Sequence, residues 1–225
     1  MVWPAILIWL RHLVPLTLLS AIALSPLIAI ALATRAPADL AGAKSVLRVG
    51  WTLLAAAWFP QLLLVGGASA MIDRAPATGG PRSQLRAFGA GVAQMVRALV
   101  PCLVAAAAVL IGCLALVVPG PMLLVLLALT AASRERGLPA PLLDSIAAVR
   151  RQLPAVVLAL AALFVLDAAI GLIAHRAFAA RLPPKPTPAQ LAAVRDFVRV
   201  IAAALVILSP LPATVLATIR ARIEP

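Results

Sequence analysis

Asp167 is the residue of this chain best placed to do chemistry. It stands alone in the apolar run 157–174, and a carboxylate held among lipid tails costs a few kcal/mol on insertion scales. Such a group must face other helices, find a partner or carry a proton. Counted along a helix, it lies about 10 Å below the end of its run, a depth that Arg199, near the start of the last apolar run, can match. The residues therefore predict an Asp167–Arg199 ion pair inside the membrane, joining two helices. Packing is its expected role, ahead of a proton or solute pathway. Gln61 is the other strongly polar side chain within an apolar run, with Ser20, Thr52 and Ser69 behind it. Those hydroxyls read as small residues that let helices approach closely.

Other chemistry is hard to find. His12 and His175 fall at the ends of apolar runs, and no HExxH, G-x-S-x-G or phosphate-loop pattern occurs. No His, Cys or acidic residues recur at metal-ligand spacing. Asp39, Asp73, Asp144, Asp167, Asp196, Glu135 and Glu224 are scattered, so no carboxylate pair points to hydrolysis. Cys102 and Cys113 share one apolar run, about 16 Å apart on a helix, too far for a mutual disulfide. Neither an enzyme activity nor a metal or cofactor is expected.

The elements that must hold these residues follow from composition. The 225 residues are 64% hydrophobic and only 12% charged, with mean hydropathy +1.10. One water-soluble core of this size cannot hide so much apolar surface, whereas a bilayer solvates helices that are apolar all round. The pattern predicts an all-α, polytopic membrane helix bundle forming one domain over 1–225, with six spans at about 13–33, 47–71, 98–118, 119–136, 153–174 and 197–219. The first run is longer than a signal peptide's apolar region, so it reads as an uncleaved span. Before it, Trp3, Pro4 and Trp9 suggest a short interfacial helix. Gly79, Gly80 and Pro81 mark a turn, and Leu85, Phe88, Val92, Met95 and Val96 then repeat at helical spacing, as on a membrane-surface helix. A second amphipathic segment carries Leu142, Leu143, Ile146, Val149 and Leu153 on one face, with Asp144 and Arg151 opposite. Only 122–132 is short for a span, and it reads as complete but thin, with a re-entrant hairpin as the rival. Thr187, Pro188 and Gln190 form a helix start with a capping box, and Pro210 and Pro212 should bend the last helix.

The net charge of +12 comes almost wholly from arginine. The charges lie mostly between apolar runs, no basic stripe is interleaved with aromatics, and there is no Tyr. Anionic lipid headgroups are therefore the expected partners, and nucleic acid is not. Arg82, Arg86, Arg150 and Arg151 are the expected headgroup contacts. Placing both termini in the cytoplasm puts Arg11, Arg74, Arg82, Arg86, Arg97, Arg134, Arg136, Arg150, Arg151, Arg220 and Arg222 inside, as the positive-inside rule favours. Arg181 and the Pro-rich loop around it then lie outside.

One stretch also has a likeness. Pro119-Gly120 after an apolar span, the second apolar run 122–132, Glu135 with Gly137, and Asp144-Ser145 ahead of Arg150-Arg151 resemble the pattern of an uncharacterised group of bacterial membrane proteins. That group is related to the membrane domain attached to glycerophosphodiester phosphodiesterases. The likeness covers about 85–175. It implies a six-helix bundle with surface helices in a bacterial inner membrane, and it supplies no catalytic residue. The expected function is a non-enzymatic scaffold or accessory subunit touching anionic lipids, with a membrane-protein partner or a second copy. The alternative is a small permease for a lipid or apolar solute, which would need a polar cavity near the midplane reaching Asp167.

Overall fold

The computed structural model describes residues 2–74, 81–115, 119–135, 137–178, 183 and 185–222. The expected Gly79–Gly80 turn, the end of the third span at 116–118, Arg136 and Arg181 lie outside them. Every element among the described residues is helical: α1 (Val2–Arg11), α2 (Leu13–Ala23), α3 (Ser25–Ala33), α4 (Leu40–Arg74), α5 (Pro81–Ala115), α6 (Pro119–Leu127), a 3-10 turn (Thr130–Ala132), α7 (Ala140–Arg151), α8 (Leu153–Phe178), α9 (Pro188–Leu208) and α10 (Pro210–Ala221).

Four helical stretches are long and apolar enough to cross a membrane, namely α4, α5, α8 and α9 with α10. A fifth is reached if α1 and α2, bent by 88° at His12, count as one broken span. The helices turn large apolar faces outward: Ile111 is 65% and Leu114 87% exposed on α5. A water-soluble monomer rarely shows such a face, whereas hydrocarbon solvates it. The molecule is a helical membrane bundle.

α4 is its axis, with 67% of its apolar stretch buried against 28% for α5. Small residues make that enclosure possible. A side chain at Gly66 would collide with the Ala131 carbonyl, and one at Gly67 would meet Met95. α5 crosses at the same level, where a side chain on Gly91 would lie 2.9 Å from the Gly67 carbonyl. Glycine thus trades helix propensity for close approach. Around α4, Leu16, Leu64, Val65, Leu129, Val149, Val156 and Leu216 form one core, and Leu53, Ala57, Phe197, Ile201 and Leu205 form a second.

Several expectations need correction. The surface helix over 85–96 does not stand apart from the third span, because α5 runs unbroken through Arg97 and Pro101. Gly91 would weaken that helix in isolation, but it is held by packing on Gly67 and Leu19. The first expected span is interrupted at Leu24, just ahead of Pro26, one of the two prolines able to kink it. On α7 the inward face is Pro141, Ser145, Ala148 and Val149, while Leu143 is 61% exposed. Of the expected apolar face only Val149 is fully buried, and Ser145 on the inward side binds the end of α6. The last helix starts as its residues dictate: Thr187 accepts from the Gln190 backbone N–H, and the Gln190 side chain accepts from the Thr187 N–H at 2.8 Å. It breaks at Ser209, immediately before Pro210.

Candidate functional site

Three polar assemblies stand out in this apolar molecule. The first lies deep in the bundle. Gln61 sits roughly midway along α4 between Arg48 and Asp73, and its amide Nε2 donates to Asp167 Oδ1 on α8 at 3.0 Å and to Ser209 Oγ at 3.0 Å. Ser209 is available because it occupies the break between α9 and α10. Gln61 is 1% and Asp167 6% exposed, so the node is sealed by its neighbours. The Gln61 Oε1 is buried without a hydrogen-bond partner.

The expected Asp167–Arg199 pair is not formed. Asp167 takes its hydrogen bond from Gln61, while Arg199 faces Asp196 on its own helix at 3.9 Å and is partly exposed. Depth explains the mismatch. Asp167 is level with Ser209, and the helical stretch from Arg199 to Ser209 rises about 15 Å. An arginine that far up the helix stays with the solvated end.

The second assembly is at the end of the bundle where α4 finishes. A cavity of about 690 Å³ opens there between α4, α5 and the loop after the 3-10 turn. Gly66 and Ser69 form its α4 side, with Asp73 and Arg74 in the last turn of the helix. From α5 come Gln94 and Arg97. Gln94 donates to the carbonyls of Ala131 at 2.9 Å and Ser133 at 3.0 Å. It thereby satisfies groups that a helix end leaves open and fixes the loop wall to α5. Arg134 on that loop reaches back to Asp73 at 2.8 Å, and the Glu135 N–H donates to Ser133 Oγ at 3.2 Å. Arg74 and Arg97 make no ion pair or hydrogen bond through their side chains with any described residue.

The third assembly ties α7 to the bundle. Arg220, in the last turn of α10 and 3% exposed, donates to Asp144 on α7 at 2.6 Å. Next to it Ser145 Oγ donates to the Leu126 carbonyl at 2.9 Å and accepts from the Leu129 N–H at 3.2 Å. One hydroxyl therefore bridges the gap between α6 and the 3-10 turn.

These contacts place the four arginines expected at lipid headgroups. Asp73–Arg134 and Asp144–Arg220 bring the ends of α4 and α10, the loop after the 3-10 turn and α7 to one end of the bundle. Arg82 and Arg86 open α5 at that end, and Arg150 and Arg151 close α7. All four are exposed, and none pairs with a described residue. At the opposite end Trp51, His175 and Phe197 form an aromatic group with ring centroids 6.1–6.4 Å apart. Among the described residues no group of His, Cys, Asp and Glu is arranged to hold a metal.

Reasoning from residues alone missed the cavity and the Asp144–Arg220 pair. Asp144 had been assigned to the outer face of α7, and Arg220 to the exit of the last span. The only available hint was an acidic residue on an otherwise basic amphipathic segment. No family model, no curated protein and no solved structure matches the chain.

Proposed function

We propose that this chain is a non-enzymatic integral membrane protein, a scaffold or accessory subunit whose basic end engages anionic lipid headgroups. The observation that carries this reading is the convergence of Arg82, Arg86, Arg150 and Arg151 on one end of the bundle, all exposed and none held by a described residue. Exposed arginines beside a bilayer are attracted to anionic headgroups by about 1 kcal/mol each. The sealed Gln61–Asp167–Ser209 node gives further support, since a permease needs its midplane polar groups to line a path.

In this reading the chain crosses the membrane six times in a bacterial inner membrane, with the basic end and both termini in the cytoplasm. The thin fourth crossing is α6 with the 3-10 turn. It starts beside Cys113, near the far end of α5, and ends beside Gln94 and Asp73 at the basic end. The likeness of 85–175 to bacterial membrane proteins with surface helices agrees with this arrangement. The permease alternative draws on an apolar groove of about 770 Å³ between Ile22, Trp58, Phe59, Leu99 and Leu103, which faces outward and suits an acyl chain.

The test is purification in native lipid, with mass spectrometry of the lipids and proteins carried along. Replacing Arg82, Arg86, Arg150 and Arg151 together by Gln should strip anionic lipid in bulk during mild detergent washing. Retention equal to wild type removes the reading.

A further inference from the structure

The structure assigns the cavity at the end of α4 as a binding site for a phosphate ester anion, gripped by Arg74 and Arg97. The assignment rests on the lipid-contact reading above and gives that contact a specific seat. Unpaired arginines on a surface mean little by themselves, but these two border a concave site with built walls. The loop side is pinned to α5 by the two Gln94 hydrogen bonds. The α4 side carries Ser69, which is 9% exposed and makes no side-chain hydrogen bond to a described residue, so its hydroxyl is available to the cavity.

Charge selects the sign of the occupant. The lining carries three guanidinium groups, Arg74, Arg97 and Arg134, and two carboxylates, Asp73 and Glu135. Asp73 is already engaged by Arg134, which leaves two guanidinium groups in the lining against the single carboxylate of Glu135. A cation would meet that excess of positive charge and, among the described residues, no cluster of ligating carboxylates. For an oxyanion, by contrast, each guanidinium offers a planar fork of donors suited to two phosphate oxygens.

Volume selects its size. About 690 Å³ is within the range of small-ligand pockets and far exceeds a bare phosphate. The occupant is therefore a phosphate with an organic substituent, either the headgroup of an anionic lipid or a water-soluble phosphate ester.

The experiment uses the full chain in nanodiscs of phosphatidylcholine, with or without phosphatidylglycerol, and native mass spectrometry after exchange into detergent. Wild type should keep one phosphatidylglycerol per chain. Arg74→Gln/Arg97→Gln should lower that occupancy at least tenfold, and Arg74→Lys/Arg97→Lys should fall between, since lysine keeps the charge and loses the fork. Both arginines are exposed, so the thermal midpoint in detergent should not move, which separates lost binding from lost folding. The variant lacking Arg82, Arg86, Arg150 and Arg151 should shed bulk lipid yet keep the single bound molecule. If instead the Arg74/Arg97 variant keeps that molecule as wild type does, the cavity assignment is overturned while the general lipid reading stands. Millimolar inorganic phosphate gives the source: displacement of the bound lipid supports an anion site open to soluble phosphates, and resistance supports a site that also grips the lipid body. Absence of any retained lipid and of any thermal shift with phosphate overturns the site altogether.

Discussion

Two ion pairs at the same end of the bundle behave as opposites. Arg220–Asp144 is dry, with the arginine side chain 3% and the carboxylate 24% exposed. Arg134–Asp73 is wet, at 69% and 31%. Their geometries are alike, at 2.6 and 2.8 Å, so distance does not distinguish them. Surroundings do. Around Arg220 the low dielectric makes the loss of a partner expensive, whereas solvent screens Arg134 and leaves its pair weak. The dry pair fastens α7 to α10, and the wet pair ties the loop after the 3-10 turn to the end of α4 at the rim of the cavity. The Gln61 node belongs with the dry pair.

The sharpest way to break this contrast is Asp144→Ala, which removes a buried arginine's carboxylate. It should lower stability in detergent by about 3 kcal/mol, read as a large fall in the thermal midpoint. A change under a third of that would mean water reaches Arg220. Next comes Gln61→Leu, which takes both donated hydrogen bonds from Asp167 and Ser209 and should cost about 2 kcal/mol. Changing Gln61 and Asp167 together to Leu should recover much of that loss, since removing both partners leaves no orphan carboxyl. Failure to recover would show that the node is held by more than its own hydrogen bonds. The smallest effect belongs to Asp73→Asn, within about 1 kcal/mol. It should vanish as salt rises, because the pair it breaks is already screened. Denaturation curves at low and high ionic strength check both halves of that statement.

Local features of this fold were legible in the residues. The helix start at Thr187 needs only Thr, Pro and Gln at set positions, and it forms as written. The need for Asp167 to face inward follows from its surroundings, and it does face inward. What failed was partner choice. A charge was sought for a charge, and Arg199 was preferred because both residues seemed to lie near one interface. The amide of Gln61 was noted as polar and deep, yet nothing in the order of residues says that α4 and α8 put 61 and 167 side by side. The cavity was illegible for the same reason. Its parts lie on α4, α5 and a loop far along the chain, and each arginine reads singly as an ordinary flanking charge. Glycine misled in a related way. Gly89 and Gly91 weaken the segment as a free helix, and the compensating contact of Gly91 with Gly67 exists only once the two helices have met.

Ser145 has a mechanical consequence. Its hydroxyl is bonded at once to Leu126 and Leu129, on either side of the discontinuity between α6 and the 3-10 turn. α7 turns Leu143, Arg150 and Arg151 outward, so a load on that face is a load on this helix. Through Ser145, together with the packing of α7 on α6, a displacement of α7 would be delivered to the joint between α6 and the 3-10 turn. Across that turn, Gln94 holds the carbonyls of Ala131 and Ser133 to α5. Helix α7, joint and cavity wall are thus joined in series by Ser145 and Gln94, so a displacement at one end would be felt as a change in the shape of the cavity.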